Sequence, residues 1–312
     1  MMGNFFNRMY YGKGNKGDYT KDDLPGNRWQ LFLSMLRLNI GKLISINLLF
    51  VLFMLPTIIW IAVMNMPIIS ELLQAGNSLE AQQYFQVATY GMLPCFIILG
   101  PGVVGMTYIS RNMAKDQNIW IWADFWGAVK DNWKQMLAVS AMNGLFLILA
   151  YIANIFYSSS AAGSVFFLIP QTVVIVMYVC WCLMNFYLWP LMVTYELSIK
   201  ALIRNAALLT IARLPQTLFM AVFTLVLPAV FLLSDNIYIF IGLILIYLLF
   251  GFSVNSLAIN SVTNGIFDKY INLRIKGAKV NQGLRVEYDE DGEDSFDDDD
   301  EEAESEEGEE EK

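Results

Sequence analysis

Histidine is absent from all 312 residues of this chain. Its absence excludes His-based acid–base catalysis, Ser-His-Asp triads and most zinc sites. Three cysteines are too few for a disulfide scaffold. Charge is also scarce, with 16% of residues charged against about 25% in an ordinary soluble domain. Residues 287–312 hold 18 of the 29 acidic residues and a single lysine, a net charge of −17 that leaves the other 286 residues at +8. The sequence pI of 4.6 therefore describes a tail, and the body is slightly basic and strongly apolar.

What the chain does have is long uncharged runs. Hydrophobic residues make up 56% of it and the mean hydropathy is +0.46. A bilayer core of about 30 Å needs about 20 apolar residues at 1.5 Å each. Leu43–Met64 meets that length, and so does the later part of Ala81–Ser110. Gln135–Tyr195 holds 61 residues without one Asp, Glu, Lys or Arg, so it must cross twice, turning in Ser158–Ser164. Two more runs flank Asp235-Asn236. The expected fold is an all-α integral membrane protein, a six-helix transmembrane bundle with spans at about 43–64, 86–110, 136–157, 165–190, 216–234 and 237–259. Backbone amides in hydrocarbon must be bonded internally, which helices achieve, and the strand alternation of a barrel is missing.

All 20 lysines and arginines fall on one side of that arrangement. Seven precede the first span, four lie between spans two and three, three between four and five, and six follow the sixth. The positive-inside rule then places both termini in the cytoplasm. Four segments follow: 1–42, a cytoplasmic N-terminal interfacial segment; 43–259, the membrane domain; 260–286, a basic juxtamembrane stretch with Lys269, Arg274, Lys276, Lys279 and Arg285 for anionic headgroups; and 287–312, an acidic tail too self-repelling to fold alone.

Between spans two and three, Trp122, Phe125, Trp126, Val129 and Trp133 recur at helical spacing, with Asp124, Asp131 and Lys134 opposite. Such a stripe suits either a helix in the headgroup layer or packing on the bundle. Together with Lys130 and Lys134, its aromatics are candidates for interfacial or partner binding. A weaker stripe, Trp29, Phe32, Leu33, Leu36 and Ile40, precedes span one; it starts at Pro25-Gly26-Asn27, with Arg28, Arg37 and Lys42 available to phosphates.

Inside the spans, Gly100, Pro101, Gly102 and Gly105 read as close packing with a kink or as the lining of a broken helix. The intramembrane polar groups are amides: Asn143, Asn154, Gln171, Asn185, Asn255 and Asn260. They either join helices or, beside Trp181, Tyr187 and Trp189, line a site for a neutral sugar. No charged residue sits mid-span, which argues against a carboxylate proton pump. Cys180 and Cys182 are separated by one residue and point in different directions, so no metal or redox pair is expected. Glu196 and Lys200 have i,i+4 spacing. Pro101…Thr107-Tyr108 and Pro190…Thr194-Tyr195 echo one another, which suggests that hairpins two-three and four-five are distant copies.

The stretch Gly100–Tyr108, followed by Arg111, Trp120, Asp124-Phe125, Lys130 and Asn132–Gln135, resembles the YesL-like membrane proteins of Gram-positive bacteria, catalogued as domain of unknown function number 624. Asn47–Leu49 leading to Leu55-Pro56, and Tyr187–Pro190 leading to Lys200 and Asn205, are similar to that family as well. The resemblance implies a multi-span inner-membrane protein without a defined catalytic residue, suspected of assisting carbohydrate uptake. The resulting expectation is a non-enzymatic accessory or regulatory component of a transport or signalling system in the plasma membrane. The alternative is a facilitated carrier or channel for a small neutral solute. The expected partners are the anionic bilayer surface and a transporter or signalling complex; no cofactor, metal or nucleic acid is expected.

Overall fold

The structure is a computed structural model that describes residues 24–74, 78–161, 165–233 and 236–285. The N-terminal arm, the acidic tail and part of the expected Ser-Ala turn lie outside these residues. The described chain is all-helical, without strands: α1 Arg28–Leu38, α2 Ile40–Gln74, α3 Ser78–Met113, α4 Ile121–Asp131, α5 Trp133–Ala161, α6 Leu168–Met192, α7 Ile199–Ala212, α8 Leu214–Leu233, α9 Ile237–Ile246 and α10 Phe252–Tyr270. A single wide turn, Tyr247–Gly251, joins α9 to α10 as one continuous helix.

The bundle is inside-out relative to a soluble protein. Asn47, Ser140, Thr217, Asn260, Thr263, Asn264 and Asp268 are buried, while Leu52, Ile59, Val173, Ile175, Leu225 and Ile244 are exposed. That pattern is stable when the surroundings are hydrocarbon, because the polar groups then bond one another and the apolar ones meet lipid. Among the described residues, five helical runs are long and apolar enough to cross: Ile40–Asn65, Ala81–Met113, Trp133–Ser159, Leu168–Met192 and Ile237–Arg274. The fifth expected span falls on α8, which meets the amphipathic α7 at a bend of 94°; counted together they bring the total to as many as six.

Local chemistry sets the boundaries. Asn27 caps α1, its side chain accepting the Gln30 N–H at 2.8 Å, while Gln30 Oε1 takes the Gly26 N–H at 3.0 Å. This is a reciprocal arrangement of the capping-box kind. Ser198 caps α7 and Asn236 caps α9. In α4, Asp124 accepts the Trp120 N–H at 2.8 Å, placing a carboxylate at the positive end of the helix.

One expectation is extended and one corrected. The last helix runs past the expected span 237–259 to Tyr270, and 271–285 fold back as a cap pinned by the Arg285 N–H to the Pro25 carbonyl at 2.9 Å. Glu196 stands ahead of the cap residue Ser198, outside the helix that holds Lys200, and no ion pair joins the two. Helical i,i+4 geometry is therefore lost there.

Candidate functional site: an amide-lined cavity beneath a basic platform

Helix α3 is the hub, and its glycines fix the helices around it. A methyl on Gly100 would stand 2.5 Å from Ser140 Oγ on α5. One on Gly102 would meet Phe53 of α2 at 3.0 Å, and one on Gly105 would overlap the Phe125 ring of α4. Successive residues on a helix are about 100° apart, so three glycines within two turns admit three neighbours from three directions. Gly100, Gly102 and Gly105 thus sit at helix contacts, while Val103, Met106 and Thr107 of the same helix line the cavity.

On the opposite wall the wide turn frees backbone groups that a regular helix would bond internally. Asn47 of α2, with 0% exposure, bonds three backbone groups there. Its Nδ2 donates to the carbonyls of Tyr247 at 2.9 Å and Leu248 at 2.8 Å, and its Oδ1 accepts the Ser253 N–H at 3.0 Å. The clamp holds the start of α10 against α2.

Between these walls lies a cavity of about 260 Å³ lined by residues of α2, α3, α6, α8 and α10. Asn185 and Asn255, expected from the sequence, both reach it, together with Trp189, Thr224, Ser256 and Asn260. Asn185 is satisfied, accepting from Trp189 Nε1 at 3.1 Å and donating to the Trp181 carbonyl at 2.9 Å. Asn255 accepts from Thr224 at 3.0 Å through its Oδ1. Asn260 donates to the Ser256 carbonyl at 2.8 Å, yet its Oδ1 is buried without a hydrogen bond. No charged side chain lines this space.

The other expected amides lie elsewhere. Asn143 accepts from Trp181 Nε1 at 2.8 Å, and Gln171 donates to Asn154 at 2.8 Å toward the far end of α5 and α6. Cys180 and Cys182 face outward on either side of buried Trp181. Among the described residues no group of His, Cys, Asp and Glu converges as a metal site.

Sequence reading overlooked a polar stripe. Ser256, Asn260, Asn264, Asp268 and Asn272 recur every fourth residue and are all buried, running from the cavity to the end of the bundle that carries α1. There Asp268 pairs with Arg28 and accepts from Asn272 Nδ2 at 2.6 Å and from the Asn281 N–H at 3.0 Å. Arg28 is thereby committed to a carboxylate instead of standing ready for phosphate. Lys115 is packed among Arg28, Arg111 and Asp268; burial first, then its cationic neighbours, pulls its pKa down to about 8.

The same end carries an open polar cleft of about 680 Å³. Arg111 bridges it, donating to the Val193 carbonyl at 2.6 Å and to Asn112 Oδ1. Tyr108 and Tyr195, the endpoints of the sequence echo, both line it. Tyr195 donates to Asn272 at 2.7 Å, and burial raises its pKa. Beside the cleft the aromatic stripe divides. Phe125 is 0% exposed in the core, whereas Trp122 is 67% exposed, and Asn132 breaks the helix so that Trp133, 51% exposed, opens α5. Trp126 stacks edge-on against Phe53, Trp122 and Phe125. Lys130 and Lys134 are exposed, the latter 5.4 Å above the Trp133 ring.

No curated protein and no solved structure matches this chain. Residues 43–160 match the family described as "Protein of unknown function, DUF624", a stretch that runs from α2 through α5 and takes in both Gly100–Tyr108 and Asp124–Gln135. The YesL-like resemblance of those two segments is consistent with that match.

Proposed function

We propose that the protein is a non-enzymatic accessory component of a bacterial transport or signalling system, a plasma-membrane protein with six crossings and both termini cytoplasmic. The observation that carries this reading is the construction of the basic end. α1, α4, α7 and the cap 271–285 lie at that end, with Trp29, Trp120, Trp122 and Trp133 exposed and Lys130, Lys134, Lys200, Arg204 and Lys276 exposed as well. Tryptophan at the headgroup level beside outward bases suits anchoring to anionic lipid, and the same exposed groups are available to a partner. The Pro25–Arg285 hydrogen bond supports an even number of crossings, since the two ends of the described chain must share a side.

The test is isolation of the full chain from its own membranes in mild detergent, followed by identification of what accompanies it. Recovery of stoichiometric transporter or kinase subunits, lost in a Trp122→Ala/Lys130→Glu variant, is expected. Recovery of the chain alone after chemical crosslinking in intact cells rejects the accessory role. External labelling of a cysteine placed at Lys130 rejects the orientation.

A second reading, a facilitated carrier or channel for a small neutral solute, draws on the cavity. Solute-dependent uptake into reconstituted vesicles separates it from the first.

A further inference from the structure

The cavity between α3, α6, α8 and α10 carries an inference that goes beyond the accessory reading and does not require that anything crosses the membrane. We infer that it is a binding site for a small uncharged molecule bearing neighbouring hydroxyl or amide groups.

Unused hydrogen-bonding capacity is the first ground. Asn260 lines the cavity, is 1% exposed and leaves its Oδ1 without a donor. One turn along, the Oδ1 of Asn264 is equally orphaned. On the same wall Asn255 has its Oδ1 engaged by Thr224 and its NH₂ unengaged. A buried polar atom without a partner costs about 1–3 kcal/mol, and native interiors rarely keep one without a reason. The wall therefore offers the Asn255 NH₂ as a donor and the Ser256 hydroxyl, with the unpaired Asn260 Oδ1 buried beside them.

Charge is the second ground. The lining contains no Asp, Glu, Lys or Arg, so an ionic ligand would be desolvated without compensation. A neutral hydroxyl or amide both donates and accepts and needs none. Shape is the third ground. Phe50, Val103, Phe186, Phe252 and the Trp189 ring surround the few polar groups, the mix of apolar wall and sparse polar contacts typical of small-molecule sites. A volume of about 260 Å³ falls just below the usual range for drug-sized ligands, about 300–1,000 Å³, and selects for small ones.

The cavity lies next to the open cleft of the basic end along α3 and α6. Thr107 and Trp189-Pro190 line the cavity, while Tyr108, Arg111 and Met192-Val193, the next residues along the same two helices, line the open cleft. The bond from Arg111 to the Val193 carbonyl spans the cleft wall at that level.

The experiment uses the full chain in lipid nanodiscs and a size series of uncharged polyols (glycerol, erythritol, xylitol, glucose), with gluconate as a charged comparator. Thermal stability and tryptophan fluorescence are read against concentration. At least one polyol should raise the melting temperature saturably, and Asn255→Leu and Asn260→Leu should each weaken its apparent affinity at least tenfold. Asn154→Leu, remote from the cavity, should leave it unchanged, and gluconate should give no saturable shift. Should Asn260→Leu fail to fold, Thr224→Val, which retains side-chain size, reads the same wall and should weaken binding in the same direction. The inference is overturned if no polyol gives a saturable shift, the cavity then holding water only, if the wall variants bind like the parent, or if gluconate binds equally well. Loss of polyol binding with partner recovery intact separates this site from the accessory role.

Discussion

Arg28, the first residue of α1, and Asp268, near the end of α10, form an ion pair across 240 positions of sequence. Both are mostly buried, with side-chain exposures of 19% and 8%. A pair of this kind gains little over apolar packing, yet removing one partner leaves an uncompensated charge. Asp268→Leu alone is expected to lower unfolding free energy by about 3–5 kcal/mol, and adding Arg28→Met should recover part of that loss. Chemical unfolding of the four proteins in a mild micelle measures the coupling; strict additivity would show that the two residues do not interact.

Lys115 gives the fold a pH response. Its folded pKa of about 8 is below its ordinary value of 10.5, because burial and the nearby Arg111 and Arg28 oppose the charged form, with Asp268 opposing them. Between these two values the unfolded chain binds more protons than the folded one, so stability rises with pH. Below pH 8 the penalty is fully present, and above the unfolded pKa it is gone. Lys115→Met should be the more stable protein at pH 7, with its advantage shrinking through the window from about 8 to 10.5 in paired thermal melts. An advantage that grows with pH would reverse the assignment.

Gly105 and Phe125 form a plug-and-socket contact between α3 and α4. Gly105→Ala forces the ring aside and should destabilise by about 1–3 kcal/mol. Phe125→Leu should restore part of this in the double variant. Gly127 has nothing within 4 Å of its missing methyl, so Gly127→Ala should be neutral or stabilising by up to about 1 kcal/mol. Equal losses at the two glycines would remove the contact as the cause.

The Asn47 clamp predicts a large effect from a single amide. Asn47→Leu strands two carbonyls in the wide turn and the Ser253 N–H just beyond it. Intramembrane hydrogen bonds average about 0.6 kcal/mol each, so a loss of about 2 kcal/mol is expected, with faster hydrogen exchange at Ser253. Unchanged exchange there would mean that the turn finds other partners.

The long apolar helices are legible in the sequence because hydrocarbon thickness dictates run length. The start of α1 is legible too, from Pro25-Gly26-Asn27. The polar stripe on α10 escaped because hydropathy falls where Asn260, Asn264 and Asp268 enter, which resembles a helix leaving the membrane. Spacing was the missed signal: four-residue recurrence of Ser, Asn, Asn, Asp and Asn from Ser256 to Asn272 marks one helical face. The aromatic stripe was readable as a pattern, but the break at Asn132, which splits Phe125 from Trp133, depends on how α5 leaves the layer. Asn185 and Asn255 were both named, yet only tertiary packing brings them into one space while sending Asn143 and Asn154 elsewhere.

The clamp also bears on biosynthesis. Asn47 enters the bilayer with the first span, but its partners Tyr247 and Ser253 lie 200 and 206 residues downstream. At about 5–20 residues per second, the ribosome needs roughly 10–40 s to deliver them. During that interval the nascent first helix carries an unmatched amide in oil, which favours its retention at the insertion machinery until the last segment emerges. A chain stopped short of residue 247 would thus advertise its own incompleteness to membrane quality control.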